Sequence, residues 1–364
     1  MRHVRIALLG CGTVGGGLVG LLERSRARLA SSHDVEFSLA RVLVRDLARR
    51  REGVDRGLLT ARADWAIPER CDVVVELVGG IEPARTLVRR ALERGLPVVT
   101  ANKALLARHG AELFAAAAAR GVPLGFEGSV CGGVPVVRAL RDGLAGDRIE
   151  SVTGVLNGTC NVVMTLMDRD GATFEAALRA AQEAGFAEAD PSLDIDGWDA
   201  AQKLVVLSAL AFGEWTSVSD VRVRGIRGVT PERLAETRSR GRALRLVATA
   251  ERHSGGLALA VEPRELPLDH PLAAVSMEQN AVLVHGDTVG ELLFRGRGAG
   301  AGPTATAVLA DLCEVVGARR LAGPRHERPA ARALAPTSRA RARPASRSRA
   351  RSRSGRAALP RRGW

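Results

Sequence analysis

The sequence predicts an α/β protein: a doubly wound parallel sheet joined to a second, α+β module and followed by a low-complexity tail. Three observations carry this. Residues 3–9 are a β-rich apolar run that passes through Gly10-Cys11-Gly12-Thr13-Val14-Gly15 into a helical segment. Short apolar, β-branched runs then alternate with helical segments up to about residue 134. From Ile149 the pattern changes to strands in close succession, interrupted by three helical stretches.

Strand, G-x-G-x-x-G, helix is the Rossmann-type arrangement. The glycines allow a tight turn and close backbone approach to a pyrophosphate, and the helix N-terminus supplies amide donors. The second strand is expected at Val35–Val44 and ends in Arg45-Asp46. At this place an acid reads the ribose hydroxyl of NAD, and an arginine accommodates the phosphate of NADP. Arg45 comes first, so the expectation is NADP, with NAD as the second choice.

Cys71–Val78 reads as a buried parallel strand, residues 82–94 as a helix, and Val98-Val99 as a short strand. Thr100, Asn102 and Lys103 then fall at the carboxyl edge of the sheet, where cofactors bind. A helix over 104–120 and a strand near 124–127 follow. Residues 127–135, EGSVCGGVP, offer one acid and several carbonyls outside any ladder, an oxygen-rich arrangement suited to a hard cation or simply a crossover loop. The second module is expected to hold strands at 149–156, 242–250, 256–262, 281–285 and 289–294, with helices at 173–184, 198–212 and 231–239. The glycine-rich turn at 296–303 starts a last helix that could pack back on the first sheet. The domains are therefore 1–134 completed by 300–320, then 135–299, then a tail over 323–364.

The most informative stretch is Gly185–Gly213, GFAEADPSLDIDGWDAAQKLVVLSALAFG. It places five carboxylates, Glu188, Asp190, Asp194, Asp196 and Asp199, within twelve residues. Trp198–Phe212 has no Pro or internal Gly and ends at Gly213, so a helix is predicted. Asp199 and Lys203 lie four apart on one face of it. Taken alone, the pair is either a surface ion pair or a lysine whose proton affinity is tuned by a carboxylate and burial. Composition bears on that choice. Of 53 basic Lys and Arg residues only Lys103 and Lys203 are lysines. Arginine stays charged, whereas lysine can release its proton.

The formal charge of +13 is not spread over the chain. Residues 323–364 hold thirteen Arg and one Glu, which leaves the rest near neutrality. This Arg/Ser/Ala/Pro tail is expected to be disordered; a shifted reading frame and an RNA-binding segment are the other two readings. Tyrosine is absent and aromatics are 3%. Base-stacking platforms are therefore poorly supplied, and nucleic-acid contact is expected to stop at non-specific contacts of the tail. The five scattered cysteines form no C-x-x-C, the start shows no signal pattern, and no apolar run reaches about 18 residues. A cytoplasmic protein without a membrane span is expected.

GCGTVGGG, ELVGG, TANKALLA, FEGSVCGGVP, GVLNGTCN, GFAEADPSLDIDGWDAAQKL and GAGAGPTA, in that order, resemble the homoserine dehydrogenase family over roughly residues 3–320. The resemblance implies NAD(P)H-dependent interconversion of L-aspartate 4-semialdehyde and L-homoserine, on the branch to threonine and methionine. It implies Lys203 as the acid/base lysine, with Lys103 beside the nicotinamide and substrate oxygen. Glu188 and Asp199 match the homoserine-binding acids, and Asp194 a further acid of the same cluster. Glu127 with Val130, Gly132 and Val134 resembles a structural site for a monovalent cation, sodium. Gly10, Gly12, Thr13, Val14 and Gly15 form the fingerprint turn; Gly185 and Gly300 match glycines near the cofactor, and Asn157 and Thr159 the NGT element at the domain junction. The resemblance also implies a homodimer or homotetramer assembled through the second module. Val162 and Phe186 stand where the family often has tyrosine. The tail shows no pattern of the threonine-binding ACT-type domain found in long members.

Three other readings are kept: another Rossmann dehydrogenase of a small amino or hydroxy acid, a nucleic-acid binder acting through its tail, and an NAD(P) sensor without turnover.

Overall fold

A computed structural model describes residues 1–317. The 323–364 stretch, with its three readings, lies outside the described residues, as does the end of the expected 300–320 segment. No helix among the described residues is long and apolar enough to cross a membrane.

The first half alternates strand and helix: β1 (Arg2–Leu9), α1 (Thr13–His33), β2 (Val35–Leu43), β3 (Leu59–Thr60), β4 (Val73–Glu76), α2 (Ala84–Glu93), β5 (Val98–Thr100), α3 (Lys103–Arg120) and β6 (Leu124–Gly125). The six strands form one sheet in the order β3-β2-β1-β4-β5-β6, every pair parallel. Order reverses between β1 and β4, which opens a crevice at the carboxyl ends of the strands. The inner strands are continuous apolar runs because helices cover both faces; Val73, Val74 and Val75 are fully buried.

The strand expected at Cys71–Val78 is shorter, Val73–Glu76, and two other boundaries of this half differ for local reasons. Helix α1 begins at Thr13, inside the glycine run, so the turn itself is the helix start. The strand expected near 124–127 stops at Gly125, because residues 127–129 turn into a short 3-10 helix.

Helix α4 (Val136–Arg138) leads through a π turn at 139–143 into the second module. Its elements are β7 (Ile149–Val155), α5 (Gly158–Asp170), α6 (Phe174–Glu183), α7 (Ser192–Ile195), α8 (Trp198–Phe212), β8 (Arg222–Val223), α9 (Pro231–Ser239), β9 (Arg242–His253), β10 (Gly256–Pro267), β11 (Gln279–Gly286) and β12 (Gly290–Arg297). They build a second sheet, β12-β11-β7-β9-β10-β8, antiparallel except where β8 joins β10. Strands β9 and β10 run longer than expected, since twelve residues of each pair without a break. The two-residue strands β3 and β8 were not foreseen; they are too short to carry a sequence period.

Helix α10 (Ala301–Val315) returns to the first sheet. Its Ala305, Val308, Leu309 and Leu312 share one core with Leu18 of α1 and with Val4, Ile6 and Leu8 of β1. The approach is close: a Cβ on Gly17 would stand 2.9 Å from the Ala301 carbonyl oxygen.

Helix α8 carries the two ionisable residues singled out above. It is apolar nearly all round, and Leu204–Leu207 are all buried. Such a helix belongs in a core. Gly213 closes it in the left-handed conformation, φ +76°. Trp215, just beyond, seals α8 against α3. A Cβ on Gly110 of α3 would lie 2.1 Å from the indole, and Phe114 packs with ring centroids 5.8 Å from Trp215 and 5.2 Å from Phe126. The helices bearing Lys103 and Lys203 are thus held face to face by aromatic packing.

Candidate active site

The fingerprint turn is built by steric necessity. Gly10 adopts φ +95°, and a Cβ there would be 2.5 Å from the Leu77 carbonyl oxygen. The turn therefore packs directly on the end of β4. At Gly12 nothing lies within 4 Å of where a Cβ would be, so its backbone faces open space. Thr13, Val14 and Gly15 form the first turn of α1, which has neither a side-chain cap nor an acid to satisfy its free amides. Beside the turn lies a cavity of about 350 Å³, lined by Gly10, Gly12, Val44, Arg45, Arg49 and Arg51 among others. Asp46 is turned onto its own loop, where Oδ1 accepts from the amides of Ala48 (2.8 Å) and Arg49 (3.3 Å). Arg51 is anchored through the carbonyls of Asp46 (2.8 Å) and Arg49 (2.7 Å). The open glycine backbone, the uncapped helix and the apolar slot with a basic rim fit a dinucleotide.

At the carboxyl edge of the same sheet, Glu76 ends β4 fully buried. Its Oε1 accepts from the amides of Val78 (2.9 Å) and Gly79 (3.1 Å), and Oε2 from the Thr100 hydroxyl (2.6 Å). Burial pushes its carboxyl above the usual range despite these donors. Asn102 donates to Gly80 O (2.7 Å) and caps α3 by accepting from the Leu105 amide (3.0 Å). The loops after β4 and β5 are therefore tied together, and Lys103, the first residue of α3, is presented from a fixed start.

Lys103 meets Lys203 at Asp199. Asp199 Oδ1 is 3.1 Å from Lys103 Nζ, and Oδ2 accepts from Lys203 Nζ at 2.8 Å and from Asn157 Nδ2 at 2.7 Å. Asp199 and Lys203 are 4% and 7% exposed, so the reading of a surface ion pair does not hold. Lys203 also donates to Leu156 O at 2.7 Å. Burial alone would raise the Asp199 carboxyl, but Lys203 and Lys103 outweigh it and hold the group well below the usual carboxylate range. Burial likewise works against the Lys203 ammonium, and Asp199 outweighs it, so the lysine is held above its ordinary value.

Asn157 Nδ2 also donates to Asp194 Oδ1 (2.6 Å), and Thr159 Oγ1 lies 3.2 Å from Asp194 Oδ2 and 2.8 Å from Phe186 O. Burial first, and then the charge of Asp199, raise the Asp194 carboxyl. Asn157, Thr159, Asp194, Asp199, Lys103 and Lys203 thus form one cluster. Glu188 is not part of it: the residue is exposed, and its side chain makes no hydrogen bond or ion pair among the described residues. Gly185 ends the α6 segment in the left-handed conformation, and Gly300 is the N-cap of α10, also without a side-chain cap.

In the loop expected to hold a cation, Glu127 is buried, and its two carboxylate oxygens accept from the amides of Val137 and Arg138, each at 2.9 Å. The Glu127 amide donates to Asp311 Oδ2 at 2.7 Å. Burial raises both carboxyls, Asp311 to about 7. Val130, Gly132 and Val134 contribute backbone only, and Gly132 has φ +40°. One acid thus lies among backbone carbonyls, and the Arg138 guanidinium stands 3.7 Å from Asp311 Oδ1 at the edge of the same loop.

Known proteins decide the family. The profile described as "Homoserine dehydrogenase" matches residues 135–313, and "Homoserine dehydrogenase, NAD binding domain" matches residues 10–127. The chain belongs to the homoserine dehydrogenase family. A homoserine dehydrogenase of Bacillus subtilis is 40% identical over 337 residues, which are 90% of this chain and 78% of that protein. One of Corynebacterium glutamicum is 43% identical, over 87% of this chain and 72% of that protein. Among solved structures, a homoserine dehydrogenase from Thiobacillus denitrificans aligns with TM-score 0.82 at 43% identity, covering 86% of this chain and 73% of that one. A hyperthermophilic archaeal homoserine dehydrogenase in complex with NADPH aligns with TM-score 0.74 at 27% identity, covering 86% and 98%. Homoserine dehydrogenases are NAD(P)-dependent oxidoreductases that interconvert L-aspartate 4-semialdehyde and L-homoserine.

Several residues of the site escaped sequence reasoning. Glu76, Arg49 and Arg51 belong to no motif that the sequence displays. A faint signal existed for Glu76, an acid closing an otherwise apolar strand, and for the arginines, which crowd the loop after β2.

Proposed function

We propose that Lys203 is the proton donor and acceptor at the oxygen of L-aspartate 4-semialdehyde and L-homoserine. Asp199 holds its ammonium, and Lys103 acts beside it. When bound, the nicotinamide supplies the hydride to the aldehyde carbon, or takes it from homoserine in reverse. As the carbonyl oxygen gains negative charge, Lys203 and Lys103 stabilise it, and Lys203 transfers the proton. In oxidation the ammonium first gives a proton to solvent, and the neutral amine of Lys203 then takes the proton from the hydroxyl. Asp194 and Asp199, with Glu188 approaching from the exposed loop, bind the substrate ammonium. The observation that carries this reading is the buried bridge from Lys103 through Asp199 to Lys203. The test is homoserine-dependent reduction of NADP and NAD in the wild type and in Lys203→Ala; reduction at equal rates by both proteins overturns the role.

In this reading the cofactor lies over Gly10, Gly12, Thr13, Val14 and Gly15, with Asn157, Thr159, Gly185 and Gly300 on its nicotinamide side. NADP is the preferred form. What supports this is that three arginines, Arg45, Arg49 and Arg51, line the cavity against one acid, Asp46, whose Oδ1 is already taken by the amides of its own loop. Arg45→Ala should raise the KM for NADP about 10-fold and leave that for NAD within about twofold. A change of equal size for both cofactors would refute the preference.

Sodium is proposed at Glu127, with backbone oxygens of Val130, Gly132 and Val134. Its positive charge would offset the buried Glu127 and Asp311 carboxyls. Replacing N-methylglucamine chloride by sodium chloride at equal ionic strength should then raise the melting temperature of the wild type and not of Glu127→Ala; equal melting in both salts argues against the site. Assembly as a homodimer or homotetramer is proposed through the second sheet, whose outer strand β12 leaves Leu293 43% exposed. A monomer in sedimentation equilibrium would exclude it. A cytoplasmic location fits five free cysteines among the described residues, and fractionation tests it.

A further inference from the structure

We infer that Asn280 is a positioning residue for Lys203, acting through the Leu156 carbonyl. The inference rests on the reading of Lys203 as the proton donor and acceptor. Asn280 is on β11, 1% exposed, and its Nδ2 donates to Leu156 O at 2.7 Å. The same oxygen accepts from Lys203 Nζ, also at 2.7 Å. A carbonyl oxygen has two lone pairs, so this one is fully used. Leu156 lies just past the last residue of β7 that pairs with β11, and before Asn157, the N-cap of α5. The sheet ladder therefore does not hold its carbonyl; Asn280 does.

The consequence falls on the lysine. An ammonium has three N–H donors. One of Lys203 goes to Asp199, and one to Leu156 O. With both partners fixed, tetrahedral geometry fixes the direction of the third, the one left for the substrate oxygen. If the carbonyl swings, that direction is lost even though the Asp199 pair survives.

Asn280 is itself clamped. A Cβ on Gly298 would lie 2.0 Å from Asn280 Cγ, so the amide occupies the space of the missing side chain. Its Nδ2 lies 3.6 Å from Cys131 Sγ. Its Oδ1 is buried without a hydrogen-bond partner. An orphan buried oxygen is a cost that an apolar residue would avoid, so the donor side of the amide is what an asparagine contributes here. Gly298 begins the turn Gly298–Gly300 that leads into α10. Asn280 therefore links the lysine to the loop that returns the chain to the first sheet.

The experiment uses full-length Asn280→Asp, which keeps the shape but removes both N–H donors, and Gly298→Ala, which displaces the amide without altering it. Each should lower kcat for homoserine oxidation roughly 10- to 100-fold, as expected for a reacting group misplaced by about 1 Å. The KM values for homoserine and NADP should stay within threefold. The solvent deuterium isotope effect on kcat should rise, because proton transfer becomes the slow step. A merely structural role would lower the melting temperature and the fraction of active protein without moving the isotope effect. That result, or a normal kcat in folded Asn280→Asp, overturns the inference. Should Asn280→Asp not fold, Gly298→Ala and Asn280→Ser are read by the same criteria. Lys203→Arg separates the two readings. If it keeps wild-type kcat, the acid/base assignment fails; if it is inactive while Asn280→Asp is normal, only the positioning role fails.

Discussion

Lys203→Ala is expected to lower kcat for homoserine oxidation about a thousand-fold, within the range typical of a lost general acid or base. Cofactor binding, followed by nicotinamide fluorescence, should stay within about threefold. The lysine is buried at the start of an apolar helix, with its ammonium committed to Asp199 and Leu156 O and one donor left over. Alanine removes the proton carrier and the positive charge together. Arginine restores the charge without a releasable proton, so Lys203→Arg should also be inactive. A kcat within tenfold of wild type in Lys203→Ala would move the proton-transfer role to Lys103, the other ammonium on Asp199.

Asp199→Asn should cost both activity and stability. It leaves two ammonium groups at a neutral amide, and removing one partner from a buried ion pair is typically worth about 3–5 kcal/mol. The pH dependence follows from the two shifts. The Asp199 carboxyl is held below its ordinary value, so its contribution is present above the unfolded pKa of about 4 and disappears as pH falls through the lower, folded value. Lys203 is held above its ordinary value, so its contribution is complete below about pH 10 and fades as pH rises through the raised value. Between pH 5 and 9 the melting-temperature gap between wild type and Asp199→Asn should therefore be large and nearly constant. A gap that is absent at pH 7 would mean that the bridge contributes nothing to the fold.

What could be read from the sequence was local. The fingerprint turn, the apolar strands of the first sheet and the limits of α8 follow from short-range rules: glycine spacing, β-branched runs, and a stop at Gly213. The Asp199–Lys203 pair was visible because its spacing of four is a helical neighbour relation, and because lysine is so rare in this chain. That Lys103 would reach the same carboxylate was not visible, since it depends on α3 packing against α8 through Gly110, Phe114 and Trp215. Asn280 was hidden for the same reason. It lies 124 positions from Leu156, and an asparagine inside a strand has no local signature of purpose. Glu76 looked like the end of an apolar run, because the amides and hydroxyl that use its carboxylate come from two different loops. The strand expected to end at Glu127 failed because the backbone there turns to place that carboxylate at the start of α4.

The two oxygens of Asp199 face different halves of the chain. Oδ1 takes Lys103, which begins the helix after β5 of the first sheet, and Oδ2 takes Lys203 and Asn157 from the second module. Neither half alone contains the three-residue bridge, so the bridge closes only when both halves are in register. A substitution that shifts α3 is felt at Lys203, and one that shifts α8 is felt at Lys103. The site therefore acts as a record of how well the two halves are docked.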